Sequence, residues 1–244
     1  MNDYEEFANL LKKSKKIAFF GGAGVSTSSG LKDYRSKDGI YNSINKYGLP
    51  PEEILSHDFL MHNSKTFYKF FREYFFVDVK PSTPHLALKE LEDKGYDVTI
   101  VTQNIDGLHT AAGSSMVFEL HGNSSRFLCC NCEKKFDRAY VEKFGEDVPY
   151  CSGCGGFVRP NVVMYGEMLY DFDLVMAADA IEKADMLIVA GTSLQVWPAA
   201  GMVDRYKGDK LIVMNKQPIS ADRKARMVFR EDIATVFTET MKYL

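Results

Sequence analysis

Four cysteines carry the clearest chemistry in the chain. Cys129 and Cys132 form one C-x-x-C pair, eighteen residues intervene, and Cys151 and Cys154 form a second. Two such knuckles bring four thiolates into a tetrahedron, the closed geometry of structural zinc, with no position left for water or substrate. A site of this kind folds a module and does no chemistry. A register using Cys130 gives C-x-C, a poorer knuckle, so Cys130 is read as a spare thiol. Four free cysteines are the bland alternative, and a redox pair would need a single C-x-x-C at a helix start. All five cysteines lie between 129 and 154, unlike the dispersed disulfides of a small secreted domain.

A second set of polar residues falls just after apolar runs. "QNIDGLH" places Gln103, Asn104, Asp106 and His109 behind the run "DVTIVT". Such a set is costly to hold near a core unless something binds there, and a solvated turn would explain only Asp106 and Gly107. His121 follows shortly, although a lone histidine is more often structural than catalytic. Thr192 and Ser193 follow "MLIVAG", and Asn215 follows "LIVM". The stretch "FFGGAGVSTSSGLKDYR" (19–35) opens as a dinucleotide loop with Gly22 and Gly24, but Thr27 stands where the third glycine would be. Strand ends of open α/β sheets are where ligands bind, so these residues describe one crevice for one polar ligand.

The elements that must position these groups are read from periodicity. Buried-strand runs are predicted at 15–22, 97–102, 186–193 and 210–215, with helices at 4–11, along "HLALKELEDKGY" up to Gly95, and from near Pro198. Apolar strands alternating with helices imply a doubly wound parallel sheet covered on both faces. Two segments interrupt the rhythm. Residues 31–79 contain "FYKFFREYFF", where Phe67, Phe70, Phe71, Tyr74 and Phe75 recur at helical spacing and mark one aromatic, mostly core face. Residues 124–161 hold the cysteines and read as a metal-stapled module.

Composition excludes several classes. With 244 residues and 45% hydrophobic content the chain can bury one sizeable core plus a small module. A formal net charge of -3 offers no field for a polyanion, so no direct nucleic-acid binding is expected. The short run "KKSKK" is a solvated helix end. No apolar run reaches membrane-spanning length and the first residues lack a secretory pattern, so a cytoplasmic location without membrane contact is expected.

Six motifs in order, "GAGVSTSSGLKDYR", "TQNIDGLH", "HG", the paired knuckles, "RPNVVMYGE" and "GTSLQVWPA", resemble the sirtuin family, the NAD-dependent protein-lysine deacylases, in its compact bacterial-type catalytic core. The likeness covers essentially the whole chain from about Ala8. It implies a Rossmann-like NAD-binding domain over 1–30, 80–122 and 162–244, and a small domain made of a helical module with cofactor loop (31–79) and a zinc module (123–161). NAD and an acyl-lysine protein or peptide would meet between them. By the same resemblance Ala23, Gly24, Thr27, Tyr34 and Arg35 line the NAD loop, and Gln103 reaches the nicotinamide ribose. Asn104, Ile105 and Asp106 receive the nicotinamide carboxamide. Gly191, Thr192 and Ser193 match positions on the phosphates and ribose, and Asn215, Asp232 and Ile233 those at the adenosine. His121 matches the catalytic histidine, with Asn104 and Asp106 beside it. Val163, Tyr165, Gly166, Glu167 and Val196 lie on two edges between which relatives pair an extended peptide. Trp197 is either at the mouth of that groove or an ordinary packing residue.

The implied reaction expels nicotinamide from C1′ as the acyl oxygen attacks the opposite face, and ends in free lysine and O-acyl-ADP-ribose. Relatives preferring acidic acyl groups carry Tyr-x-x-Arg; here Tyr68-Lys69-Phe70-Phe71 puts Arg72 one residue late, a rotation of about 100°. A channel for apolar acyl groups is therefore expected. Lys32 and Tyr34 replace the proline and phenylalanine of the family's "GIPDFR". A mono-ADP-ribosyltransferase on the same fold is the alternative, though variants dedicated to it depart at the catalytic histidine; a zinc-ribbon binding protein explains only the cysteines. Among family members monomers occur, and a monomer is expected.

Overall fold

The computed structural model describes residues 1–33, 40 and 44–244. Within them nine strands run in chain order: β1 (Lys16–Gly21), β2 (Asp97–Thr102), β3 (Val117–Glu119), β4 (Gly122–Cys129), β5 (Lys135–Asp137), β6 (Val158–Val162), β7 (Met186–Ala190), β8 (Leu211–Met214) and β9 (Met227–Phe229). Six form one sheet in the order β3-β2-β1-β7-β8-β9. Every pairing in it is parallel. Residues of each central strand alternate between two cores. Ile17, Phe19, Ile188 and Ile212 face a layer that includes Phe7, Leu88, Leu91 and Phe237. Ala18, Phe20, Leu187, Val189 and Val213 face Ala177, Ile181 and Met202. Burial on both sides is why these strands read as unbroken apolar runs. The chain runs from β1 outward to β2 and β3 and later returns to β7 on the other side of β1, so the strand order reverses between β1 and β7, and a crevice at their carboxyl ends is the place for a ligand.

The predicted doubly wound sheet is present, with differences at its margins. β3 and β9 are three residues each and were too short to stand out as apolar runs. The segment expected as a helix from Pro198 is a 3-10 run, Ala199–Arg205. Gly201, its third residue, disfavours the α form, and a Cβ there would meet the Trp197 ring at 2.4 Å.

The second sheet is antiparallel, β5-β4-β6, and carries the cysteines. It shares a third core with helices Pro51–Ile54, His57–His62 and Ser64–Phe75, in which Phe67, Tyr68, Phe70 and Phe71 pack with Phe127, Cys129, Cys151 and Val158. Tyr68 lies off the aromatic stripe read from the sequence, yet it is fully buried. Its hydroxyl donates to the Val158 carbonyl at 2.5 Å. Helices and ribbon are thus one packed body, because this helix is covered on more than one side.

Candidate active site

The loop after β1 crosses the end of β7 at backbone contact. Gly22 and Gly24 donate their N–H groups to the carbonyls of Ala190 and Gly191 at 3.0 and 2.9 Å. A Cβ on Gly24 would sit 2.7 Å from the Gly191 Cα, and one on Gly191, at φ +60°, 2.5 Å from the Val25 nitrogen. Only glycine fits either position. Ala23 begins a short 3-10 turn and Thr27 the next, with Thr27 Oγ1 donating to the Gly24 carbonyl at 3.0 Å. Tyr34 and Arg35 lie outside the described residues.

At the end of β2 the polar residues diverge. Gln103 Nε2 donates to Thr192 Oγ1 at 2.9 Å, joining the ends of β2 and β7. Asn104 is buried. Its Nδ2 donates to Ser26 Oγ at 3.1 Å, and Ser26 Oγ donates to Asp106 Oδ2 at 2.7 Å. Asp106 Oδ1 accepts the Leu108 N–H at 2.9 Å. The Ile105 carbonyl accepts from both the backbone and hydroxyl of Ser124, at 2.8 and 2.9 Å. Asn104, Ile105 and Asp106 are therefore held by three different elements.

Ser26 and His85 are participants that sequence reasoning missed. His85 follows the cap of helix Thr83–Asp93, and the Ser82 N–H donates to its Nδ1 at 3.2 Å. Nε2 therefore carries the hydrogen, and it faces Ser26 Oγ at 3.4 Å. The available signal was "STPH", a capping-box spacing with histidine where Glu or Gln is usual. His109, grouped with the crevice on sequence, packs instead between His85 and Phe19, at 4.6 and 5.7 Å between ring centroids. Neither of its ring nitrogens has a partner among the described residues.

These two histidines make a testable statement about stability. Burial, reinforced by His85, pushes His109 down to about 3, and burial lowers His85 against the pull of the Asp106 carboxylate. Groups with depressed values leave stability intact above the unfolded value near 6.5 and erode it as pH falls from there toward the folded value. At pH 5 His109 alone costs about 2 kcal/mol. Urea midpoints at pH 7 and 5 should differ accordingly, and His109→Leu should flatten the difference. Equal midpoints in the parent would show that the folded ring takes up the proton.

His121 sits at the turn from β3 into β4. Its Nδ1 lies 2.7 Å from the Gln103 carbonyl. A carbonyl only accepts, so Nδ1 carries the hydrogen and Nε2 keeps its lone pair. Burial pushes the imidazole below its ordinary value, with the carbonyl contact opposing, so the ring is neutral near pH 7. Next to it Gly122 adopts φ +78°, and a Cβ there would lie 2.1 Å from the Asn161 carbonyl. At the other end of the crevice Asn215 closes β8, donating its N–H to the Phe229 carbonyl at 3.0 Å. Asp232 caps helix Ile233–Met241 through Ala234 N at 3.0 Å. Val163 donates to the His121 carbonyl at 3.0 Å, which brings segment 163–167 beside the histidine. Val196 is half-buried and Trp197 is 71% exposed.

The four cysteine sulfurs lie within 4.8 Å of one another. The pairs Cys129–Cys154, Cys132–Cys151 and Cys132–Cys154 are 3.5, 3.7 and 3.4 Å apart. Zinc–sulfur bonds of about 2.3 Å require sulfurs roughly 3.8 Å apart in a tetrahedron. Asn131 N and Gly153 N each donate to a cysteine sulfur two residues back, at 3.4 Å, as thiolate ligands require. The donor set fits a structural zinc ion, and Cys130 stands apart from it.

A parallel sheet with its glycine loop at the carboxyl end of β1, joined to a four-thiolate ribbon, defines a nucleotide-binding α/β fold with a metal-stapled module. The Sir2 family model matches residues 22–198. An NAD-dependent protein deacetylase of Clostridium acetobutylicum is 45% identical over 237 residues, covering 97% of each chain. One of Staphylococcus aureus is 42% identical over 241 residues, 98% of each. A solved Sir2 with a p53 peptide and NAD+ superposes with a TM-score of 0.87 at 34% identity, covering 99% of this chain and 98% of that one. A Sir2 with a deacetylated p53 peptide and 3′-O-acetyl ADP ribose reaches 0.90 at the same identity and coverage. The chain belongs to the Sir2 family of NAD-dependent protein deacetylases. Among the described residues no helix is long and apolar enough to cross a membrane.

Proposed function

We propose that the chain removes acetyl and other apolar acyl groups from protein lysines, producing free lysine, nicotinamide and O-acyl-ADP-ribose. The observation that carries this reading is His121, an imidazole with Nδ1 tied to the Gln103 carbonyl and a basic Nε2, beside the sheet crevice. NAD supplies, when bound, the electrophilic ribose carbon C1′ with nicotinamide as its leaving group. Ala23, Gly24, Thr27, Gly191, Thr192 and Ser193 hold its phosphates and ribose, and Asn215, Asp232 and Ile233 its adenosine. Asn104, Ile105 and Asp106 hold the nicotinamide carboxamide, kept rigid by Ser26, and Gln103 orients the adjoining ribose. His121 Nε2 takes a proton from a ribose hydroxyl, for which a neutral ring is needed. Burial around it excludes competing water. Val163, Tyr165, Gly166, Glu167 and Val196 border the peptide. The Sir2 structures holding p53 peptides support a peptide as substrate.

The positions of Tyr68 and Arg72 support the apolar acyl preference. Tyr68 is bonded to Val158, and Phe71, at the position of the family's arginine, is buried against Phe127. Arg72 Nη2 donates to the Asp147 carbonyl at 2.7 Å, with its guanidinium 5.0 Å from the Tyr68 ring centroid. The Asp147 bond holds Arg72 at its one-residue-late position, which supports a channel without a cation for a distal carboxylate. An unpaired buried carboxylate costs at least about 2–3 kcal/mol, so kcat/KM for a succinyl peptide should fall on the order of 30–100-fold below the acetyl peptide. Equal rates on the two peptides would refute the preference.

The reaction itself is tested by incubating the pure protein with NAD and an acetyl-lysine peptide. Acetyl-dependent nicotinamide release with an acetyl-ADP-ribose product supports it. Protein-bound ADP-ribose formed without acetyl dependence would identify a mono-ADP-ribosyltransferase instead.

A further inference from the structure

Segment 163–167 is held by a clamp in which Arg159 and His57, residues without a part in the proposed reaction, grip Glu167. Glu167 Oε1 lies 2.5 Å from Arg159 Nη1 and 2.7 Å from His57 Nδ1. Oε2 accepts from Arg159 Nη2 at 2.8 Å and from the Met164 N–H at 2.9 Å. A carboxylate has about four acceptor sites, and four protein contacts occupy them. Burial alone would raise Glu167, but Arg159, the Met164 N–H and His57 outweigh it and bring it down to about 2. The carboxylate is thus saturated from within the chain and has no acceptor site left for a peptide. Arg159 also donates to the Val162 carbonyl at 2.9 Å, so one guanidinium grips both sides of the segment.

The same segment is bonded to the helical layer. Tyr165 N–H donates to the Leu55 carbonyl and the Tyr165 carbonyl accepts the His57 N–H, both at 3.0 Å. Those Tyr165 groups therefore face the helices. The Val163 carbonyl and the Gly166 N–H take no partner among the described residues, and they are among the main-chain groups left to an added strand.

We propose that Arg159 and His57 are positioning residues for the acyl-lysine peptide: acting through Glu167, they hold 163–166 in the shape that presents the Val163 carbonyl and Gly166 N–H as a docking edge. The inference rests on the peptide reading given under Proposed function. Arg159 comes from β6 and His57 from the helical layer, so the edge is preorganised by two elements at once. A loop that is already ordered spares the peptide the entropy of ordering it. Loss of the clamp therefore falls on peptide affinity.

The test compares Arg159→Gln, Arg159→Lys and His57→Ala with the parent, using a fluorescent acetyl-lysine peptide for anisotropy and the same peptide in steady-state assays with NAD. Arg159→Gln should weaken peptide binding and raise the peptide KM about tenfold, with kcat and the KM for NAD within about twofold. Arg159→Lys, which keeps the charge and loses the fork, should fall between. His57→Ala, at a half-exposed position, should give about threefold. Zinc content and thermal melting report folding; if Arg159→Gln fails to fold, the other two variants decide by the same ratio. Unchanged peptide affinity, or a loss falling on kcat or on NAD, in a parent that does release nicotinamide would overturn this inference alone. A parent with no acetyl-dependent release would overturn the deacetylase reading and this inference with it.

Discussion

His121→Ala is expected to lower kcat by about 10²–10⁴-fold while leaving the fold, the zinc content and peptide binding intact. The size of the effect follows from the absence of a substitute. Asp106 is engaged by Ser26 and by the Leu108 N–H, and His109 is sealed in the core against Phe19 and His85. His85 has Nδ1 committed to Ser82 and its other nitrogen turned toward Ser26. His121 alone among these is tied at one nitrogen to a backbone carbonyl, which leaves a lone pair on the second. Its side chain contributes little to either large core, so truncation should not unfold the sheet. Single-turnover acyl transfer, melting temperature and peptide anisotropy measured on the same preparation check all three parts. Turnover within tenfold of the parent would remove His121 from its assigned role.

Cys151→Ser, or stripping zinc with a chelator, should abolish turnover by a different route, through loss of the third core. Apparent zinc-binding energies of about 10–16 kcal/mol act as folding energy in such modules, comparable with the stability of a whole domain. Cys129 and Cys151 are buried in the same cluster as Phe67, Tyr68, Phe127 and Val158. When the thiolates separate, β6 loses its anchor, and β6 carries Arg159 and leads directly into 163–167. The parallel sheet has its own two cores and should persist. The expected signature is loss of acetyl-dependent nicotinamide release and of one unfolding transition, with the remaining transition and most far-UV ellipticity retained. Full activity at well below one zinc per chain would show that the ribbon folds without metal.

How much was legible in the sequence depended on how local the determining contacts are. The strands β1, β2, β7 and β8 were readable because both faces of each are buried, which leaves a continuous apolar run. The cysteine site was readable because each knuckle is closed by its own neighbouring N–H groups within two residues. The glycines at 22 and 24 were readable as a nucleotide loop, although the contact that requires glycine at 24 lies on Gly191 in another strand.

By itself, then, the sequence determined the parallel α/β sheet, the thiolate set and the strand-end location of the polar residues, because each rests on spacing along one element. Only the tertiary structure decided which polar groups meet. Ser26 reaches Asp106 across 80 residues, His57 reaches Glu167 across 110, and Tyr68 reaches Val158 across 90. It also separated His109, sealed without partners, from His121, held by a carbonyl at the crevice, though both are histidines shortly after strands. Periodicity tells which face of an element is buried. It carries no information about which distant partner covers that face, and at this site the partner sets each group's hydrogen bonds and proton affinity.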